Sequence, residues 1–285
     1  MPDLGLTLNA GIRVVACKTP TLPPASTTNS VFFGKKDFFV VDPATPYPEE
    51  QERFDHIVEQ RMNQGHQLKA IVLSHHHHDH MGDALRVSQK FKAPLWGHGA
   101  NGPLLPFKLD REITDGELLS EKNDKERFQA IFTPGHAPGH LCVFDQDSRI
   151  LFAGDMITAE STVLIEPKLG NMADYLASLQ KLLDLNPSTV IPSHGFPIEK
   201  GAQKIRLTLA HRHLRIEQLG ALLPKEKSQA LRAEDLVSAI YGQQIDELTR
   251  KLAALSLSSS LKYLAEQGKV EHDQDKLLWW KKSLN

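Results

Sequence analysis

Between residue 12 and about residue 200 the chain alternates short apolar runs with polar turns and a few longer amphipathic stretches. The runs 12–17, 30–33, 38–41, 70–73, 94–97, 128–132, 141–144, 150–152 and 189–191 are short, β-branched or aromatic, and bounded by turn residues, which predicts strands. Gly34-Lys35-Lys36-Asp37 predicts a hairpin turn between two of them. Helical spacing appears in 48–63, where Phe54, Ile57, Val58 and Met62 share a face, in 83–91, and in 172–185 with Tyr175, Leu176, Leu179 and Leu183. Strands interleaved with helices predict an α/β domain over residues 1–200.

Past residue 200 the pattern becomes mostly helical. Helices are predicted at 202–223, 233–241 and 246–267, the last closed by Gly268, and then a hairpin over 270–282 turns around Asp273-Gln274-Asp275. Helices followed by a hairpin suggest a small winged-helix-like domain at 201–285, with Leu257, Leu261 and Leu264 as its core stripe and Trp279-Trp280 as core aromatics.

Composition changes this picture little. Apolar residues make up 40% and charged residues 24%, values of an ordinary folded protein. No run nears the ~20 apolar residues of a membrane span, and the first residues lack a basic start with an apolar core, so a cytoplasmic protein without membrane contact is expected. Cys17 and Cys142 are too few for a disulfide framework or a cysteine-based zinc site. Residues 201–285 hold 14 Lys and Arg against 10 Asp and Glu, so the tail is basic beside an acidic body. That asymmetry fits either an acidic partner or a solvated helical surface.

The candidate chemistry lies where the apolar run Ala70-Ile71-Val72-Leu73 meets Ser74-His75-His76-His77-His78-Asp79-His80. A strand end is a rigid platform, and imidazole and carboxylate are the N and O donors that zinc accepts. Alternation lets His75 and His77 point the same way, while His76 and His78 fall in spacer positions without a ligand role. An internal cluster flanked by AIVLS and DHMGD is not a terminal tag.

This segment resembles the H-x-H-x-D-H motif of the metallo-β-lactamase superfamily. Thr133-Pro134-Gly135-His136-Ala137-Pro138-Gly139-His140 is similar to the family's T-P-G-H-T-x-G-H segment, with Ala137 in place of the usual Thr. Gly154-Asp155 and Ser193-His194-Gly195 follow in family order, and Asp42 resembles a strand-end Asp that supports the site. The resemblance implies a four-layer αββα sandwich with a two-metal site. It implies one metal on His75, His77 and His136, a second on Asp79, His80 and His194, and Asp155 bridging both. Two zinc ions per chain are the expected cofactors, with iron or manganese as alternatives. The resemblance further implies a hydroxide held between metals about 3.5–4 Å apart as the nucleophile, with Asp79 orienting it. His140 could touch substrate or donate a proton to the leaving group, although support of the site is the commoner fate of such a His.

Asp155 at the bridging position resembles the glyoxalase II, lactonase and ribonuclease branches more than true β-lactamases. Gly154-Asp155-Met156-Ile157, Thr162-Val163-Leu164, Gly170 to Tyr175, and His211-Arg212 through Glu217-Gln218 resemble the β-lactamase-like endoribonuclease group. That likeness implies a phosphodiesterase acting on unstructured RNA, and by helical period Lys204, His211 and Arg215 share one side of the first tail helix, where they could face phosphates. The competing substrate is a small thioester, ester or lactone. A purely metal-stabilised binding protein fits poorly with a full ligand set. Whether the tail contacts nucleic acid or serves packing or a homodimer stays open at this point.

Overall fold

In a computed structural model of the chain, which describes residues 5–9, 11–119, 127–159 and 162–282, the apolar runs form strands whose alternate side chains serve two different cores. The first sheet runs in chain order β1 (Leu6–Asn9), β2 (Ile12–Lys18), β3 (Thr27–Phe33), β4 (Phe38–Val41), β5 (Leu68–Leu73), β6 (Leu95–Gly97) and β7 (Arg111–Glu112). Its first four strands are antiparallel, and from β4 onward neighbours are parallel. On β4, Phe39 and Val41 enter one core while Phe38 and Val40 enter the other. Period-two alternation with apolar residues at every position is what a strand covered on both faces requires.

One of these cores lies against helices α1 (Pro48–Asn63) and α3 (Ala84–Phe91), with the short α2 (His78–Met81) between them in sequence. Helix α1 starts with Pro48 in its first turn and with Glu49 and Glu50 at its positive end, and it buries Phe54, Ile57 and Val58. Met62 is exposed, against the sequence expectation, because it falls in the last turn of α1. The two helices are cross-linked by Arg86, which forks onto Asp55 at 2.8 and 3.0 Å and onto Asp83 at 2.7 Å, with Lys90 also on Asp55. Burial pushes the Asp55 carboxyl up, but these cations outweigh it and hold the group below its ordinary range.

The other core is shared with a second sheet of order β12 (Ile198–Glu199), β11 (Thr189–Pro192), β10 (Ile150–Gly154), β9 (Leu141–Asp145), β8 (Phe128–Phe132). Phe33, Phe39 and Phe128 meet there with ring centroids 5.3 to 5.7 Å apart. Because β10 and β11 are parallel, and β8 is antiparallel to the β9 that is antiparallel to β10, the carboxyl ends of β8, β10 and β11 leave the sheet on the same side. Parallel β4 and β5 likewise end together. The edge strands β1, β7 and β12 escape the sequence reading, since segments such as Arg111-Glu112 carry no apolar signal.

The chain divides into two compact units, the first of Met1–Thr133, Pro138–Thr162 and Leu185–Ala202, the second of Pro134–Ala137, Val163–Asp184 and Gln203–Asn285. In the second, α4 (Met172–Asp184) and α6 (Ala233–Tyr241) both pack on α7 (Glu247–Glu266), and β13 (Val270–Asp273) pairs with β14 (Leu278–Lys281). Helix α5 (Gly201–Leu222) precedes α6. Helix α4 buries Leu182 where Leu183 was expected, a drift of one position at its end. Leu257, Leu261, Leu264, Trp279 and Trp280 are buried as the sequence predicts. A row of small polar residues, Ser256, Ser259 and Ser260, is buried on α7 as well, with Ser259 donating to the Ile165 carbonyl at 2.6 Å. Buried Arg212 donates to the Val163 carbonyl and lies over the Tyr175 ring at 5.1 Å. Among the described residues no helix is long and apolar enough to cross a membrane.

Phe33 is fully buried at the centre of the aromatic cluster. Phe33→Ala is therefore expected to destabilise the fold by about 3–5 kcal/mol. Denaturant unfolding monitored by circular dichroism measures it, and a change below about 1 kcal/mol would contradict the packing described.

Candidate metal centre

Strand ends deliver the donors. Asp42 follows β4, Ser74 and His75 follow β5, Asp155 follows β10, and His194 follows β11 by two residues. Asp42 is fully buried and adopts φ 52°, a left-handed conformation that a non-glycine residue holds only where its surroundings enforce it. Its carboxylate accepts from the Ser74 amide at 2.7 Å, from Ser74 Oγ at 2.5 Å and from His80 Nδ1 at 2.9 Å.

These bonds fix the histidine tautomers. The single Ser74 hydroxyl proton goes to Asp42, so Ser74 Oγ accepts from His75 Nδ1 at 2.9 Å, and the His75 lone pair is left on Nε2. His80 donates from Nδ1 to Asp42, His194 from Nδ1 to the Thr27 carbonyl at 2.8 Å, and His136 from Nδ1 to the Leu164 carbonyl at 2.8 Å. Each keeps Nε2 as a donor to a cation, the arrangement that a hydrogen bond at Nδ1 imposes on metal-binding histidines. His77 differs, since its Nδ1 faces His75 Nε2 at 2.9 Å.

Among the described residues three overlapping sets of donors that could hold a cation result, one of them Asp42, His75 and His80. Donor atoms of His75, His77, His136 and Asp155 lie within 4.8 Å of one another, and so do those of Asp79, His80 and His194. Asp155 reaches both, with Oδ2 3.5 Å from His80 Nε2 and Oδ1 3.5 Å from His194 Nε2. Asp79 places its oxygens 3.8 Å from His80 Nε2 and 3.7 Å from His194 Nε2. His80 Nε2 is buried and has no hydrogen-bond partner among the described residues. A buried imidazole nitrogen facing carboxylate oxygens at these separations fits a divalent cation.

Electrostatics point the same way. Burial pushes the His80 imidazole down, yet Asp155, Asp42 and Asp79 together hold it well above its ordinary value.

His140 stands apart from the ligand groups. It is fully buried, its Nδ1 meets Thr133 Oγ1 at 2.8 Å, and its Nε2 accepts from the Asp155 amide at 3.1 Å. Gly154, at φ +54°, lets the chain pass this ring, and a Cβ there would collide with His140 Nε2. Ser74, the carbonyls of Thr27 and Leu164, and the Asn29 side chain, which donates to Pro192 and Gly195 carbonyls at 2.8 Å, complete the support without a motif that could reveal them. Cys17 is buried, and burial pushes its thiol up to about 12, which leaves it without nucleophilic character.

Residues 23–194 match the Metallo-beta-lactamase superfamily, whose members are typically hydrolytic. The chain belongs to this superfamily. Residues 233–280 match the Beta-lactamase associated winged helix domain, so the fold is an α/β metallo-β-lactamase domain followed by a winged helix. The chain is 30% identical over 210 residues to an "Atrochrysone carboxyl ACP thioesterase" of Claviceps purpurea, a match covering 71% of this chain and 64% of that protein. Two solved structures share its fold over nearly the whole chain. A beta-lactamase domain protein from Burkholderia ambifaria aligns with TM-score 0.82 at 17% identity, covering 98% of this chain and 93% of that one. A metallo-beta-lactamase family protein from Thermus thermophilus aligns at 0.78 and 21%, covering 97% and 100%.

The raised value of His80 sets a pH signature. In metal-free protein its stabilisation is complete below the unfolded value of about 6.5 and is lost as pH rises through the raised folded value. Metal-free protein is therefore expected to lose stability across that interval while metal-loaded protein does not, and metal occupancy is expected to fall as pH falls. Thermal unfolding and equilibrium dialysis over a pH series check both, and parallel pH profiles with and without metal would count against the site. Gly154→Ala, strained by its φ and by His140, is expected to cost more than about 1 kcal/mol and to lower bound metal per chain.

Proposed function

We propose that this chain is a dinuclear-metal-dependent hydrolase acting on thioesters, with zinc in both positions. The observation that carries the reading is the two overlapping donor groups joined by Asp155, with buried His80 Nε2 pointing into one of them. His75, His77 and His136 would hold one ion, Asp79, His80 and His194 the other, and Asp155 both. The same N and O donors accept iron or manganese. Bound there, such ions lower the pKa of water to near neutrality and polarise the carbonyl under attack.

The chain's own residues supply the rest. Asp79 is only partly buried and its oxygens face both His80 and His194, so it orients the attacking water and accepts its proton. Asp155 is held by its own amide on His140, which favours the supporting role for His140 over proton donation. That arrangement suits a thioester. A thiolate with pKa near 8.5 departs without a proton donor, whereas the alkoxide released from a ribose is far more basic and needs one. The thioesterase named above, at 30% identity, supports the same substrate class.

Cleavage of unstructured RNA is the second reading, resting on the motif likeness and the basic tail. The structure weakens its expected phosphate contacts. Arg215 donates to the Ile240 carbonyl at 3.0 Å and to Gln218 at 3.1 Å and lies over the Tyr241 ring. Burial, together with Arg215 and Arg212, holds His211 below its ordinary value and so neutral.

A side-by-side assay of acyl thioesters and unstructured RNA, with metal-loaded protein, tests the choice. Thioester turnover is expected, and Asp79→Ala is expected to lower kcat by about 100-fold or more. RNA cleavage abolished by Asp79→Ala, without thioester turnover, would replace the thioester reading by the ribonuclease one.

A further inference from the structure

Three successive carbonyls in the second unit divide between two tasks. That of Leu164 accepts from His136 Nδ1 at 2.8 Å, whereas those of Val163 and Ile165 on either side are taken by helix side chains, Arg212 of α5 and, at 2.6 Å, Ser259 of α7. Two residues further on, Lys262 of α7 reaches the Pro167 carbonyl at 2.7 Å. The 163–165 segment is neither helix nor strand, so no ladder of its own holds it. Pinning both neighbours fixes where Leu164 stands, and with it the reach of its carbonyl to His136.

Packing alone does not call for these donors. Arg212 is 4% exposed, and a guanidinium at that depth costs far more to desolvate than a Met would. Its other neighbours are Ser256 Oγ at 3.5 Å and the Tyr175 ring, and no carboxylate meets it among the described residues. The backbone of His136 is held by the same unit. Ser178 of α4 donates to the Pro134 carbonyl at 2.8 Å and the Asn171 amide to the Gly135 carbonyl at 2.8 Å. Gly135, at φ +130°, lies so close to Tyr175 that a Cβ there would fall 2.3 Å from the Tyr175 Cα.

We propose that Arg212 and Ser259 are positioning residues for His136: they set the Leu164 carbonyl, and that carbonyl aims His136 Nε2 at its ion. The inference rests on the reading of His136 as a metal ligand. It gives helices α5 and α7 a part in metal binding that an appendage for substrate capture would not have.

Single variants of the full chain test it. Ser259→Ala removes one donor to the segment, while Ser260→Ala, one residue on and also buried, removes a hydroxyl that bonds to the Ser256 carbonyl inside α7. Arg212→Met removes the other donor, and if it fails to fold Ser259→Ala still decides. Competition for zinc against a chelator is expected to show one ion bound about 10-fold more weakly in Ser259→Ala and Arg212→Met, with Ser260→Ala like the parent. In metal-free protein the His136 Nδ1 proton should exchange with water about 5-fold faster in Ser259→Ala, while that of His194, bonded to the Thr27 carbonyl, keeps its rate. Equal effects of Ser259→Ala and Ser260→Ala would reduce both to packing and overturn the proposal, as would a Ser259→Ala protein that matches the parent in both measurements. A parent that binds no zinc would overturn the metal reading, and the positioning of His136 would then stand or fall on its Nδ1 proton.

Discussion

Three carboxylates, Asp42, Asp79 and Asp155, converge on the single imidazole of His80, two of them from strand ends of different sheets. Negative charge gathered in so little space resists desolvation unless a cation answers it. Much of the first unit serves to hold that arrangement. The parallel pairs β4 with β5 and β10 with β11 bring the ligand-bearing ends out together, and the aromatic core between the sheets keeps them in register. Asp42 then converts backbone geometry into chemistry, because one carboxylate fixes the Ser74 hydroxyl and, through it and directly, two imidazole rings.

The parts legible in sequence are those with a local period or a fixed spacing. Buried runs such as Phe38–Val41 name strands, and His75, His77, Asp79 and His80 announce a site because their spacing is set by one strand end and one turn. The tail helix Ala233–Tyr241 follows from its amphipathic pattern with the same clarity. Positions defined by partners distant in the chain are not legible. Nothing around Thr27 or Leu164 signals that their carbonyls orient His194 and His136. The same holds for Ser74, whose hydroxyl matters only because Asp42 folds beside it. Arg215 reads as a phosphate contact from its helical position alone, and only the folded chain shows the Ile240 carbonyl that engages it.

The second unit uses polar groups differently from the first. Buried Ser259 and Arg212 donate to backbone carbonyls of the 163–165 segment, so they tie a stretch of irregular chain to helices. Such bonds contribute modestly when made and cost more when broken, which makes them locks on geometry more than sources of stability.

The carbonyl anchors on His136 and His194 also constrain motion in time. A ring tied at Nδ1 to a backbone oxygen cannot turn over without giving up that bond, so each imidazole persists as one rotamer and one tautomer. In nitrogen-15 spectra these rings would report as single sharp species.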